Sequence, residues 1–272
     1  MFIYLKPGLR ATLSVVFLIL TACGSGSSEK QTDVVILPPV SLPVAERQLA
    51  IPDNRYADSY NVLLVGNSHV RANDLPEVLK MLLETRSNKA VTVQLAPGGS
   101  YLDERMSDTT TVAAIQSANW NYIILQGQKY STSGQYSYPT EATEYWVALS
   151  KTYRATPVLF PEHPRQGNAG EGHRVYALHL GIAEQEPACV APLGPAWDNA
   201  RETLPQVALH SDGNHASLAG TLLTALLFYQ IISGENADEL PYLPQLALSE
   251  SLQSELGQLV SLTLQQYDAC QY

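Results

Sequence analysis

The chain has 272 residues, a hydrophobic fraction of 45% and a formal net charge of -10. This length and composition suffice for one full-sized hydrophobic core, and no internal repeat or second composition regime indicates another folded domain. The balance of 26 Asp and Glu against 16 Lys and Arg argues against nucleic acid and anionic lipid headgroups as partners, because both attract basic surfaces.

The first 22 residues are typical of an export signal. Lys6 and Arg10 precede an apolar run at 11–20, which is too short to span a bilayer as a mature helix. Loss of residues 1–22 removes both basic residues and no acid, so the remaining chain has a net charge of -12. Residues 23–60 are rich in Ser, Gly and Pro, and this composition predicts a flexible tether ahead of the domain.

The stretch Leu20-Thr-Ala-Cys23 resembles the lipobox of bacterial lipoproteins, in which cleavage before the Cys leaves that residue acylated. The alternative is a plain signal peptide with an incidental Cys, but the small residues around Cys23 favour the lipobox. The resemblance implies an exported protein of the bacterial cell envelope, at the outer membrane or facing the periplasm. Such a protein is expected to contact the membrane through its lipid anchor only. Stable anchoring of this kind requires more than one acyl chain.

The region 61–272 is predicted to be a single domain in which strands and helices alternate. Apolar runs predict five strands, at 61–65, 90–96, 121–126, 156–160 and 188–193. Helical spacing of apolar residues predicts six helices, at 73–83, 109–118, 140–153, 172–186, 217–232 and 249–267. This alternation predicts a three-layer α/β/α sandwich around a flavodoxin-like, parallel five-stranded sheet. The apolar helix at 217–232 contains polar residues and is expected to pack on the sheet.

Ser68 lies in the turn Gly66-Asn67-Ser68, directly after the first predicted strand. In an open α/β fold this turn lies at the carboxyl edge of the sheet, where ligands bind and where backbone N–H groups can face an anion. The position therefore suits a nucleophile, although a Gly-Asn-Ser turn alone can simply cap a helix.

The sequence also contains a candidate base for this serine. Asp212 and His215 are three residues apart, just before the helix at 217–232, so the carboxylate can hold the imidazole Nδ1–H. A nucleophilic serine needs a neutral imidazole to take its proton and an anion to stabilise the resulting cation. Ser68, His215 and Asp212 are thus the predicted catalytic residues.

Together these blocks resemble the SGNH (GDSL-like) hydrolases, whose motifs occur in the same order along the chain. The first block, Gly66-Asn67-Ser68, is similar to a Gly-Asn-Ser branch of that superfamily, and Asp-x-x-His near the C-terminus matches its last block. The third block departs from the family pattern, because no Asn follows Gly127.

The SGNH resemblance implies an oxyanion hole built from three donors. They are the backbone N–H of Ser68, the N–H of Gly98 or Gly99, and the side-chain amide of Gln126 or Gln128. Gln126 is favoured over Gln128, because it resembles the Gln of a Gln-Gly-Glu block in related acetylesterases and ends a strand.

These features predict a serine ester hydrolase that acts through an acyl-enzyme on an acylated small molecule or polysaccharide, for example a carbohydrate O-acetyl ester. The protein is expected to act as a monomer, without cofactor or metal, since metal-ligand spacings are missing from the sequence. Two alternatives remain: a glycan-binding surface lipoprotein without catalysis, and an O-acyltransferase. The Tyr-rich loop at 129–139 is a candidate surface for stacking on sugar rings.

Two further expectations concern histidine and cysteine. His69 and His163 are expected near the same edge of the sheet, where each either lines the cleft or is simply solvated. If Cys23 is acylated, two thiols remain in an oxidising compartment, and a disulfide between Cys189 and Cys270 is predicted. The alternative for Cys189 is a small core residue in a buried strand.

Overall fold

The structure is a computed structural model that describes residues 42–168 and 170–272. The predicted signal peptide, Cys23 and the first part of the predicted tether lie outside the described residues. The core is a parallel five-stranded sheet with the order β2-β1-β3-β4-β5, which confirms the predicted flavodoxin-like topology. The strands are β1 (Ser59–Val65), β2 (Ala90–Leu95), β3 (Tyr122–Gln126), β4 (Thr156–Phe160) and β5 (Cys189–Val190).

Within the described residues, seven α-helices cover the two faces of the sheet. They are α1 (Leu75–Arg86), α2 (Thr109–Gln116), α3 (Glu141–Thr152), α4 (Glu171–Gln185), α5 (Leu193–Thr203), α6 (Leu218–Ser233) and α7 (Glu250–Gln266). Apolar residues of α1, α5, α6 and α7 form a core with one face, and those of α2, α3 and α4 form a core with the other. The three-layer α/β/α prediction is therefore confirmed.

The interior strands and the most apolar helix are buried, as their composition predicts. Every residue of β3 and of β4 is buried, in agreement with their mainly apolar sequences. Helix α6 packs against the sheet and against α1 and α7, so nearly all of its side chains are inaccessible. Within the described part of the chain, no helix combines the length and hydropathy needed to cross a bilayer.

The structure differs from the sequence prediction around β5. The strand has only two residues, because Pro192 lacks the N–H that a longer ladder needs, and α5 begins immediately afterwards. This helix was not predicted, although Leu193, Ala196, Trp197 and Ala200 have helical spacing and all four are buried. It places Trp197 under the candidate site.

The predicted disulfide between Cys189 and Cys270 is present, with the two Cα atoms 4.3 Å apart. It joins β5 to the segment that follows α7, and the Val190 N–H donates to the carbonyl of Ala269 beside it. The C-terminal segment thereby covers the free edge of β5.

The domain begins earlier than the predicted boundary at Asn61. Lys151 and Glu186 form a buried ion pair of 2.6 Å, and the Lys151 ammonium also donates to the carbonyl of Leu49. The Gln48 N–H donates to the Glu186 carboxylate, and Ile51 is part of the main core. The second part of the predicted tether, residues 42–58, thus packs on the domain, because these backbone groups satisfy two buried charges.

Candidate active site

Ser68, His215 and Asp212 lie together at the carboxyl edge of the sheet. The Ser68 Oγ is 2.8 Å from His215 Nε2, and His215 Nδ1 is 2.8 Å from Asp212 Oδ2. Ser68 is exposed, so its hydroxyl is accessible to a solute. This arrangement links a hydroxyl, an imidazole and a carboxylate in the order that proton abstraction from serine requires.

The turn that carries Asp212 and His215 is held by its own backbone. The Asp212 Oδ1 accepts hydrogen bonds from the N–H groups of Asn214 and His215, at 2.9 and 2.7 Å. These bonds, with the imidazole contact of Oδ2, hold the pKa of Asp212 well below its ordinary value. Gly213, with φ +84°, makes the reversal possible. The carboxylate is therefore ionised and already oriented toward the ring.

The turn that carries Ser68 is a short 3₁₀ helix, Ser68–Val70, and α1 begins at Leu75, two residues later than predicted. Asn73 and Asp74 have positive φ and interrupt the helix predicted from residue 73. The Asn73 amide donates to the carbonyl of Ala216 and to Thr221 Oγ1, both at 2.9 Å. Asn73 therefore ties the nucleophile region to the residue that follows His215.

Gln126, the favoured oxyanion donor in the sequence analysis, has a different place in the structure. Its Oε1 accepts the backbone N–H of Asn67 at 2.8 Å, and its Nε2 donates to Glu162 Oε1 at 2.7 Å. The side chain is fully buried. Because Asn67 N–H can only donate, the oxygen must face the turn, and the amide supports the nucleophile turn from below instead of facing a substrate.

The side-chain amide of Gln128 is also fully hydrogen-bonded within the protein. Its Nε2 uses both hydrogens, on the carbonyls of Lys129 and Pro139, and its Oε1 accepts the Thr143 hydroxyl. It fixes the start of the loop at 129–139 to α3. Gln128 therefore has no N–H free for an oxyanion, and Gln126 is fully buried with its amide nitrogen bonded to Glu162.

Three backbone N–H groups remain as candidate oxyanion donors. The N–H groups of Ser68, Gly98 and Gly99 make no hydrogen bond within the described residues. Gly98 and Gly99 lie in the exposed loop after β2, and Gly98 has φ +82°. Unpaired backbone N–H groups stabilise an oxyanion where they face the nucleophile.

A buried acid, Glu162, lies behind the nucleophile turn and was missed by the sequence analysis. Burial raises its pKa to about 7, although hydrogen bonds from Tyr130, Gln126 and Asn67 favour the ionised form. Its Oε2 is 3.6 Å from His69 Nε2. Glu162 follows β4, so the ends of three strands converge on one carboxyl group. The sequence contained one hint: a Glu that directly follows an apolar strand and a Pro.

His69 lies beneath the candidate site and is not solvated. Its ring centroid is 5.2 Å from that of His215, its side chain is 7% exposed, and its Nδ1 is buried without a partner in the described residues. Burial, with the nearby His215 as a smaller cause, lowers the pKa of His69 to about 4. His69 is thus a neutral ring that packs beside the proposed base.

His163 is a buried packing residue. Its ring stacks on Trp197 at 3.9 Å between centroids and contacts His69 and His210 edge to face. Burial lowers its pKa well below the ordinary value, so this imidazole is neutral. His163 therefore packs in the interior, between Trp197 and the rings of His69 and His210.

No protein-family model and no curated protein matches this chain. Several solved structures are similar to this chain. A DUF4886 family protein from Bacteroides uniformis has a TM-score of 0.63 and 16% sequence identity, with 79% of this chain and 98% of that chain covered. The chain shares its fold.

Two enzymes are also similar in fold. An alpha/beta hydrolase enzyme from the metagenome of Lake Arreo, Spain, has a TM-score of 0.52 and 14% identity, covering 67% of this chain and 98% of that chain. A variant of an acetyl xylan esterase from Geobacillus stearothermophilus has a TM-score of 0.51 and 14% identity, covering 66% and 98%. At these identities the likeness concerns the fold, so the roles of residues rest on the geometry of this chain.

Proposed function

We propose that this protein is a serine hydrolase that cleaves a carboxylic ester through an acyl-enzyme on Ser68. The observation that carries the proposal is the continuous hydrogen-bonded path from the exposed Ser68 hydroxyl through His215 to the ionised Asp212. A path of this kind activates a serine that is otherwise a weak nucleophile. The fold shared with hydrolases of known structure is consistent with this chemistry.

The reaction follows from the geometry. Ser68 Oγ attacks the ester carbonyl while His215 Nε2 takes its proton, and Asp212 stabilises the imidazolium that forms. Collapse of the tetrahedral intermediate breaks the bond to the alcohol oxygen, and His215 returns the proton to that oxygen. Water, deprotonated by His215, then attacks the acyl carbonyl, releases the carboxylic acid and regenerates Ser68.

Hydrolysis of p-nitrophenyl acetate and labelling by a fluorophosphonate test this proposal. The wild-type protein should turn over the ester and should gain one phosphonyl group, and Ser68→Ala should do neither. Ser117→Ala is a matched control, because Ser117 is also exposed but follows α2, before β3, at the opposite edge of the sheet. If the wild type neither hydrolyses nor labels, the fold serves binding, as in the glycan-binding alternative.

We further propose that the substrate is a short acyl ester on a carbohydrate. A cavity of about 200 Å³ is lined by Tyr130, Tyr136, Tyr138 and Arg174, among others, and Tyr130 also lies close to Glu162 behind the nucleophile turn. Exposed tyrosine faces stack on sugar rings while their hydroxyls hydrogen-bond the sugar. The aromatic surface is thus joined through Tyr130 to the site.

Tyr136→Ala should raise KM for an acetylated oligosaccharide and leave p-nitrophenyl acetate hydrolysis unchanged. Tyr56→Ala is the control, because Tyr56 is similarly exposed, at 84% against 73% for Tyr136, but lies outside this cavity. If Tyr136→Ala and the wild type have the same KM on every acetylated glycan tested, the proposal that the substrate is a carbohydrate ester is wrong. Acyl transfer to added sugar that outruns hydrolysis would favour the acyltransferase alternative.

Attachment to a membrane through Cys23 is proposed on the sequence alone. Metabolic labelling with a palmitate analogue should tag the wild-type protein and leave Cys23→Ala untagged. Equal labelling of the two proteins would rule out Cys23 as the lipidation site.

A further inference from the structure

Arg105 is a buried cation that connects the loops after β1 and β2. Its side chain is fully buried and donates to the carbonyls of Gly66 at 2.6 Å, Pro97 at 2.9 Å and Ser100 at 3.3 Å, and to Thr111 Oγ1 at 2.8 Å. None of these four partners is a carboxylate. Burial lowers the pKa of Arg105 below its ordinary value, yet a guanidinium remains protonated in proteins. The positive charge is therefore satisfied by backbone dipoles.

The hydrogen bond between Arg105 and the Pro97 carbonyl fixes the direction of the Gly98 N–H, because both groups belong to one planar peptide. In a trans peptide the C=O and the following N–H point in opposite directions, and the described residues contain no cis peptide. The Pro97 carbonyl faces Arg105, so the N–H of Gly98 must point away from the buried guanidinium, toward the exposed side of the loop. Gly98, with φ +82°, adopts the backbone conformation that this requires without strain.

The same rule applied to the next peptide separates Gly98 from Gly99. The Gly98 carbonyl accepts a hydrogen bond from the Arg71 guanidinium, and Arg71 directly follows the Ser68–Val70 helix. The N–H of Gly99 therefore points away from the Arg71 guanidinium. Arg105 also holds the carbonyl of Gly66, two residues before Ser68, so one guanidinium sets the spacing between the Ser68 turn and the Gly98 peptide.

We infer that Arg105 is a positioning residue that aims the Gly98 N–H into the oxyanion hole, and that Gly98, not Gly99, is the second backbone donor beside Ser68. This inference rests on the proposed ester hydrolysis. The unneutralised charge of Arg105 also favours an oxyanion nearby, since a buried cation is only weakly screened.

Arg105→Lys and Arg105→Met test the inference. The lysine keeps the charge but lacks the planar fork that binds several carbonyls at once, and the methionine removes both. Both should lower kcat by about 10²–10³-fold, the cost of one lost oxyanion donor. KM and the shape of the pH profile should stay unchanged, because Ser68 and His215 are untouched. Thr111→Val is the control: it removes the one contact of Arg105 outside the two loops, and its kcat should remain within about threefold of the wild type.

A second measurement tests directly which glycine N–H donates to the oxyanion. Phosphonylation of Ser68 by a fluorophosphonate places an anionic oxygen where the oxyanion forms, and the amide proton of Gly98 should shift downfield in the NMR spectrum. The Gly99 proton should not, and Arg105→Met should abolish the Gly98 shift. A folded Arg105→Met with wild-type kcat, or a downfield shift at Gly99 in place of Gly98, would overturn the inference.

Failure of the proposed function gives a different result, because the wild type itself would then neither hydrolyse an ester nor react with the fluorophosphonate. In that event a crystal structure of Arg105→Met remains informative about the positioning role. An unchanged orientation of the Pro97–Gly98 peptide in that variant would overturn it.

Discussion

The side-chain oxygen of Gln126 lies 2.8 Å from the backbone nitrogen of Asn67, so the last residue of β3 supports the turn that presents Ser68. The other end of the amide donates to the buried Glu162. Gly66 allows this close approach, because a Cβ at that position would lie 2.5 Å from Gln126 Oε1. The contact explains why a polar side chain ends a fully buried strand.

Gln126→Met should lower the free energy of unfolding by about 1–3 kcal/mol, because the buried Asn67 N–H and the Glu162 carboxyl both lose a partner. Urea denaturation measures this loss. Gln94→Met, at an exposed position of β2, is the matched control and should leave stability within about 0.5 kcal/mol of the wild type.

The kinetics of Gln126→Met distinguish two roles of the Gln126 side chain: it supports the turn that presents Ser68, or it donates a hydrogen bond to the oxyanion. Support predicts that lost activity accompanies lost stability. A kcat reduced by about 10²–10³-fold in a variant as stable as the wild type would instead show that Gln126 donates to the oxyanion.

Ser68→Ala and His215→Ala should each abolish turnover, and the double variant should be no slower than the worse single variant within about threefold, because the two groups act as one unit. Steady-state kinetics on p-nitrophenyl acetate, with active-site titration, measures this. A double variant much slower than either single variant would contradict a shared role.

Asp212→Asn should be less damaging, with a loss of about 10⁴-fold in kcat at most. An asparagine oxygen can still accept the two backbone N–H groups that hold the turn, but its amide cannot stabilise the imidazolium. Circular dichroism should therefore show an intact fold. If Asp212→Asn keeps wild-type kcat, Asp212 serves the turn alone.

Glu162 and His69 should give stability opposite dependences on pH. The pKa of Glu162 is raised on folding to about 7, so the folded state binds the extra proton and this contribution is lost as pH rises from about 4.5 to 7. The pKa of His69 is lowered to about 4, so its contribution is present above about 6.5 and is lost as pH falls toward 4. The two effects offset each other in the wild type between pH 5 and 6.5.

Single variants should expose each slope, by up to about 1.4 kcal/mol per pH unit. Glu162→Gln should become less stable as pH falls from about 6.5 to 5, and His69→Gln should become less stable as pH rises over the same range. Urea denaturation at several pH values measures both slopes, and the double variant is the control. Parallel stability profiles for the two single variants would contradict the opposite shifts.

The disulfide between Cys189 and Cys270 closes a loop with a sequence separation of 81 residues. On the chain-entropy model, its loss should cost about 4.5 kcal/mol of stability. Cys189→Ser and Cys270→Ser, compared with the oxidised wild type in urea, should both show this decrease. Cys23→Ser is the control and should behave like the wild type. A wild-type denaturation midpoint that dithiothreitol does not change would contradict the prediction.

Local patterns in the sequence determined most of the fold and the nominated triad. The buried strands and the helices are encoded in apolar runs and periodicities of a few residues, so the α/β/α architecture follows from neighbours along the chain. Asp212 and His215 are three residues apart, and Ser68 ends a strand that parallel topology brings to the same edge of the sheet. The disulfide was also accessible, because only two cysteines remain once Cys23 is set aside.

Tertiary structure alone decided what the remaining polar groups do. The partner of Gln126 is 36 residues away at Glu162, and Arg105 reaches back 39 residues to Gly66, so no local pattern indicates either contact. Burial then sets their chemistry: it turns a predicted substrate donor into a support for the turn, and it raises the pKa of an acid that the sequence presents as an ordinary glutamate. These contacts depend on the carboxyl ends of β1, β2, β3 and β4 meeting at one edge of the sheet, an arrangement that exists only in the folded protein.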